Sequence, residues 1–197
     1  MAGSFDTVFT GATVVTPNGR EEADIGVLDG RIAAIGALTG AVASEVIDCR
    51  GLHILPGVID SQVHFREPGL EHKEDLKTGA RAAVLGGVTG VFEMPNTAPT
   101  TTTADTLADK IDRATSRMSC DFAFWVGATA ENVDALPSLE KLPGAAGIKI
   151  FMGSSTGTLL VEDDPTLDRV MRAITRRCAV HAEDEPRLRD RKDLRVA

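Results

Sequence analysis

Little in this chain points to a secreted, membrane-spanning or nucleic-acid-binding protein. Its three cysteines, Cys49, Cys120 and Cys178, are an odd count with no close spacing. That argues against a disulfide framework or a zinc knuckle and for a reducing cytoplasm, with each thiol a small core residue. No apolar run approaches the roughly 20 residues a membrane helix needs. The opening residues lack the basic start and apolar stretch of a secretory leader. Excess positive charge is missing as well: the net charge is −8, so nucleic acid is not an expected partner. The loop Gly153-Ser154-Ser155-Thr156-Gly157-Thr158 lacks the Gly-Lys-Ser/Thr ending of a nucleotide P-loop. There is no internal repeat. What is present is a globular composition, 43% hydrophobic and 25% charged. Its 197 residues suffice for one ordinary domain, or for one small and one partial domain.

The pattern changes once along the chain. Residues 7–52 read as all-β, with β-branched runs at 7–10 and 12–16 broken by Gly11. Two further runs, 24–28 and 31–35, flank Asp29-Gly30. Asp-Gly between strand-like runs is a strong hairpin signal, because a type I′ turn needs positive φ at both central residues. Beyond Ile54, short apolar strands alternate with helical periodicity. Strands are expected near 58–60, 89–94, 121–127, 147–152 and 178–181. Helices are expected on Leu76, Ala80, Ala83 and Val84, on Leu107, Ile111, Ala114 and Met118, and on Leu167, Val170, Met171 and Ile174. Thr102-Thr103 and Asp164-Pro165 supply start signals for the last two. Such alternation argues for an α/β fold of parallel βα units. The expected organisation is a small β-sandwich-like domain over residues 1–55, then about five strands of a (β/α)8 TIM barrel over 56–197. An open doubly wound sheet shows the same alternation.

Polar residues gather where those strands end. His64, Glu93, Asn96, Lys149 and His181 lie at or just past the C-terminal ends of expected strands, the face on which barrels and open parallel sheets carry their sites. Lys149 stands out, because Ile148-Lys149-Ile150-Phe151 is otherwise apolar. A buried unpaired ammonium is costly, so this lysine must be paired, neutral, modified, or snorkelling to the rim. Alternation places it opposite Ile148 and Ile150. Arg66 presents a fork suited to a carboxylate, unless it is spent on a surface pair with Glu67. His53 and His72 carry no such context, and the segment 184–193 reads as a solvated face of mixed charge.

Several of these segments resemble the dihydroorotases of the long two-domain bacterial type, within the cyclic amidohydrolases. The stretches are Leu55-Pro56-Gly57-Val58-Ile59-Asp60, His64-Phe65-Arg66-Glu67-Pro68-Gly69, Glu93-Met94-Pro95-Asn96-Thr97, Gly147-Ile148-Lys149-Ile150-Phe151 and Val180-His181-Ala182-Glu183-Asp184. The Arg-Glu-Pro-Gly and Met-Pro-Asn-Thr pair is expected to separate dihydroorotases from hydantoinases and allantoinases. The resemblance implies zinc-dependent hydrolysis of dihydroorotate to N-carbamoyl-L-aspartate in pyrimidine biosynthesis, with Arg66 and Asn96 on the substrate carboxylate. It implies a carboxylated, metal-bridging Lys149, with His64 and His181 as metal ligands and Asp60 orienting the site from behind them. Gln62 stands where the family usually has a histidine, so one zinc or an asymmetric pair is expected. A further metal histidine and a catalytic aspartate would come from strands beyond residue 197, which implies a longer protein, homo-oligomeric at full length, and an inactive chain when cut here. The alternatives are a hydantoinase or allantoinase, and a non-catalytic partner of aspartate transcarbamoylase.

Overall fold

A computed structural model describes residues 4–153 and 159–194. Most of the glycine- and serine-rich loop, residues 154–158, lies outside the described residues. The chain divides into two compact units, Met1–Gly57 and Val58–Ala197.

The first unit is a five-stranded sheet. β1 (Ser4–Thr16) pairs antiparallel with β2 (Gly19–Leu28), which pairs antiparallel with β3 (Arg31–Gly36). β4 (Val42–Asp48) and the short β5 (His53–Ile54) both run parallel to β1. Asp29 and Gly30 have φ of 52° and 69°, the geometry the Asp-Gly signal requires. Gly11 does not break β1. It forms a bulge at φ 67°, where its N–H donates to Asp24 Oδ1 at 2.8 Å. Ala12, Val14, Ala23, Ile25 and Cys49 form this unit's core.

The second unit alternates strand and helix. β6 (Val58–Val63), β7 (Val88–Glu93), β8 (Asp121–Gly127), β9 (Ala145–Phe151) and β10 (Cys178–His181) form one parallel sheet in strictly sequential order. A doubly wound sheet reverses its strand order at a switch point. Sequential order without reversal belongs to a curled half-barrel instead. The helices are α1 (Leu76–Leu85), α2 (Ala104–Ala114), α3 (Leu136–Leu139), α4 (Asp164–Ala173) and α5 (Glu185–Asp190).

Local chemistry sets the helix ends. Asp75 caps α1 by accepting from the N–H groups of Lys77 and Thr78, both at 2.8 Å. Thr103 and Thr106 form a reciprocal capping box on α2. α4 starts one residue earlier than the Asp-Pro signal suggests: Asp163 is the cap, and Pro165 sits in the first turn. α2 stops at Ala114 because Thr115 Oγ1 donates to Ile111 O at 2.7 Å and Ser116 turns to φ 63°. Met118 therefore joins the core from beyond the helix.

Period-two alternation gives the sheet two faces. Val91, Phe124, Val126, Ile148 and Ile150 pack with Leu76, Leu107 and Val170 of the helices. Phe92, Trp125 and Ala179 take the other face, where Phe92 and Trp125 meet edge to face at 6.1 Å.

Candidate functional site

β6 departs from regular pairing where its polar residues begin. Asp60 faces Val91 and Val63 faces Glu93, so β6 holds one residue more than β7 across that span. The bulge opens the ladder at Ser61 and Gln62. Trp125 Nε1 donates to Ser61 O at 3.0 Å, and Gln62 N donates to Asp60 Oδ1 at 2.9 Å. Asp60 and Gln62 are both exposed. Past the bulge, Phe65 enters the outer core and meets α1 at Gly79, where a Cβ would come 2.6 Å from Phe65 Cε1. His64, its neighbour, is half-buried.

His64 Nδ1 is 2.9 Å from Asn96 Oδ1. An amide oxygen only accepts, so this bond places a proton on Nδ1 and leaves the Nε2 lone pair as the ring's donor to a metal or an acid. Burial holds the imidazole below the usual histidine range. The Arg66, Lys149 and Lys110 charges act in the same direction, against the Asn96 bond.

Lys149 is 2% exposed. Its Nζ lies 4.8 Å from the Phe151 ring centroid, and no ion pair reaches it among the described residues. Burial pushes its pKa below that of an ordinary lysine. A second irregularity sets its phase. β9 shifts register against β8 just before Trp125, and Gly147 has φ 145°, where a Cβ would come 2.6 Å from Arg177 Cγ. On the next strand His181 stacks on Phe151 at 6.0 Å, and its Nε2 lies 3.2 Å from Glu183 Oε2. Phe151 thus joins Lys149 to His181.

These residues bear on a metal. His64 offers Nε2 with its tautomer fixed from behind by Asn96, the usual arrangement of a metal-binding histidine. Lys149 is a buried amine without a counter-ion among the described residues, which suits conversion to an anionic carbamate. Among the described residues no three His, Cys, Asp or Glu side chains gather into a metal cluster. His64 and Lys149 fit a metal-binding role as part of a donor set that needs the carbamate.

The loops that follow β6 and β7 are locked together. Arg66 takes φ 67°, and the Glu67–Pro68 and Ala98–Pro99 bonds are cis. Ala98 N donates to Pro68 O at 2.9 Å. Gly69, at φ 93°, sits so close that a Cβ would fall on Ala98. Glu67 is not the surface partner of Arg66. It is 4% exposed, takes a forked bond from Arg117 at 2.6 and 3.1 Å, and accepts from Leu76 N at 3.1 Å. Sequence reasoning missed Arg117 and also Lys110, which pairs with Glu93 in the outer core. Lys110 had a signal, since it lies on the buried stripe of Leu107, Ile111 and Ala114. Arg117, 50 residues from its partner, had none.

A family model described as Dihydro-orotase-like matches residues 51–144. The chain is 37% identical to the allantoinase of Deinococcus radiodurans over 185 residues, 91% of this chain and 41% of that protein. It is 42% identical to the allantoinase of Rubrobacter xylanophilus over 187 residues, 92% of this chain and 40% of that protein. Among solved structures it is similar to the L-hydantoinase (dihydropyrimidinase) of Arthrobacter aurescens, with a TM-score of 0.89 at 33% identity over 96% of this chain and 43% of that one. The dihydropyrimidinase of Brevibacillus agri gives a TM-score of 0.82 at 27% identity over 95% of this chain and 42% of that one. The chain thus spans about two fifths of the curated relatives it matches.

These relatives overturn the dihydroorotase expectation, and with it dihydroorotate as substrate and pyrimidine biosynthesis as setting. The physical reason lies in the loops just described. Pro68, Gly69 and Ala98 hold one another in place and Glu67 is held by Arg117 and Leu76, so their identities answer to the scaffold. No helix among the described residues is long and apolar enough to cross a membrane. Family model, sequence relatives and solved folds all support one placement for this chain, the cyclic amidohydrolase superfamily.

Proposed function

We propose that this chain belongs to an enzyme of the allantoinase or hydantoinase type, which opens a cyclic ureide by hydrolysing a ring C–N amide bond. The observation that carries the reading is the similarity to proteins named allantoinase, at 36–42% identity over 91–92% of the chain. The geometry of His64, Asn96 and Lys149 supports it.

A metal would be held by His64 Nε2, by Lys149 as its carbamate and by His181, with Gln62 as a further oxygen donor. When bound it would supply Lewis acidity toward the ring carbonyl and lower the pKa of a water. The chain's own residues do the positioning. Asn96 keeps the proton on His64 Nδ1. Asp60 stiffens the bulge by accepting from Gln62 N. Arg66 and the amide nitrogen of Asn96 are donors for the carbonyl oxygens of the ring. Phe92 and Trp125 line the inner face of the sheet and would exclude water from the plane below. At Lys149 the ammonium would first lose one proton; the neutral amine would then add to carbon dioxide, forming one N–C bond, opening one C–O π bond and releasing a second proton, so that an anionic carbamate replaces the buried cation.

The test is ring opening by the full natural chain supplied with zinc and bicarbonate, with allantoin, hydantoin and dihydroorotate offered in parallel. Turnover of allantoin or hydantoin is expected, with dihydroorotate left at background. Turnover confined to dihydroorotate would overturn the reading.

A further inference from the structure

Glu93 and Lys110 are each 1% exposed, yet neither belongs to the inner face that carries Lys149. Glu93 shares its side of β7 with Val91, two residues earlier, and Val91 packs in the outer core. Lys110 comes from α2, which covers that side. Its Nζ pairs with Glu93 Oε2, donates to Met94 O at 3.0 Å and lies 5.2 Å from the Phe124 ring centroid. Met94 N in turn donates to Val63 O at 3.0 Å, across to the end of β6.

Stability alone is a poor reason for such a pair, because the desolvation of two buried charges about cancels their attraction. Two well-packed apolar side chains would hold α2 on the sheet equally well. They would not grip backbone, and Lys110 does so at the carbonyl of Met94, two residues before Asn96. Through the Met94 N–H the grip reaches Val63 O, immediately before His64. Met94 and Val63 thus lead into the two partners of the His64–Asn96 hydrogen bond.

We propose that Glu93–Lys110 is a positioning pair that fixes the end of β6 against the end of β7, and so holds the His64–Asn96 bond and the tautomer of His64. It rests on the cyclic amidohydrolase reading only for the use the site makes of that tautomer. The test uses the full chain with Glu93→Gln and the double variant Glu93→Leu/Lys110→Met. The second removes the grip on the backbone while keeping apolar volume. Three readouts are taken: urea unfolding, exchange of the His64 Nδ1 proton by NMR, and zinc affinity by chelator competition. The expected result is a double variant that unfolds near the wild-type midpoint. Its His64 proton should exchange at least about 10-fold faster, and its zinc affinity should fall about 10-fold, at the lower end of what displaced outer partners of metal ligands cost. A stable double variant with His64 exchange and zinc affinity unchanged would overturn the proposal, and it decides the matter even if Glu93→Gln fails to fold. The two readings fail separately. A wild-type chain that opens no ureide, beside a double variant with a loosened His64 proton, would end the functional reading and uphold the pair.

Discussion

Replacing Gly69 by alanine tests the joint on which the candidate site rests. Gly69 has φ 93°, and a Cβ there would come 2.6 Å from Ala98 Cβ and 3.0 Å from its carbonyl carbon. Left-handed backbone costs an L-residue about 1–2 kcal/mol. Relief of the overlap must part the two loops, which breaks the Ala98 N to Pro68 O bond at 2.9 Å and costs about 1 kcal/mol more. The sum is about 2–3 kcal/mol, or a fall in Tm of roughly 5–10 °C for a chain of this size. Gly87→Ala is the control: its φ of 84° is similar, but nothing lies within 4 Å of a Cβ there. That variant should lose only about 1–2 kcal/mol, the backbone term. The assay is urea and thermal unfolding followed by fluorescence of Trp125, the single tryptophan, whose indole bonds to Ser61 O at the bulge. Equal losses for Gly69→Ala and Gly87→Ala would refute the loop lock.

Three other perturbations probe the same unit. Arg117→Met keeps the aliphatic length but strips the forked partner from Glu67. Because the Arg117 side chain is 38% exposed, water offsets part of the loss, and a cost of about 1–3 kcal/mol is expected. A double-mutant cycle with Glu67→Gln should return most of it as coupling. Glu140→Ala removes the acceptor for Thr175 N at 3.0 Å, Thr175 Oγ1 at 2.5 Å and Arg176 N at 2.9 Å. It should cost about 2–3 kcal/mol and release the Thr175 and Arg176 amides to fast hydrogen exchange ahead of β10. The caps Asp75 and Asp163 set an acid limb. Bonds from the Thr78 and Thr166 N–H groups, respectively, hold these carboxyls below the usual aspartate range. Their stabilisation is complete above the unfolded pKa of about 3.9 and is lost as pH falls through the lower folded values. Helicity by circular dichroism should drop over that interval, and Asp75→Asn with Asp163→Asn should flatten the drop.

The sequence was legible wherever one local rule decided the outcome. The Asp29-Gly30 hairpin, the five strands after Ile54 and the threonine cap of α2 all follow from neighbours within a few residues. It was misleading where a distant group intervened. Gly11 reads as a break, but Asp24 catches its N–H and the strand continues through a bulge. Met118 keeps helical phase, yet the helix ends at Ala114 because Thr115 bonds back to Ile111. Burial of Lys149 was legible from its apolar neighbours. The bulge at Ser61 and the register shift before Trp125 were not, since both are relations between strands.

The substrate misassignment has the same origin. Along the chain Arg66-Glu67-Pro68-Gly69 and Met94-Pro95-Asn96-Thr97 look like one functional motif, although the roles divide residue by residue. Glu67 is bound by Arg117 and Leu76, Gly69 abuts Ala98, and Thr97 Oγ1 donates to Pro99 O at 2.8 Å. These four-residue segments answer largely to the way the two loops must meet. Arg66 and Asn96 lie outside that joint, and Asn96 spends its oxygen on His64. A motif made chiefly of loop-locking residues therefore reports the scaffold. A residue's partner in the fold decides which kind of information its identity carries. For Glu67 that partner is 50 residues away, beyond the reach of any reading along the chain.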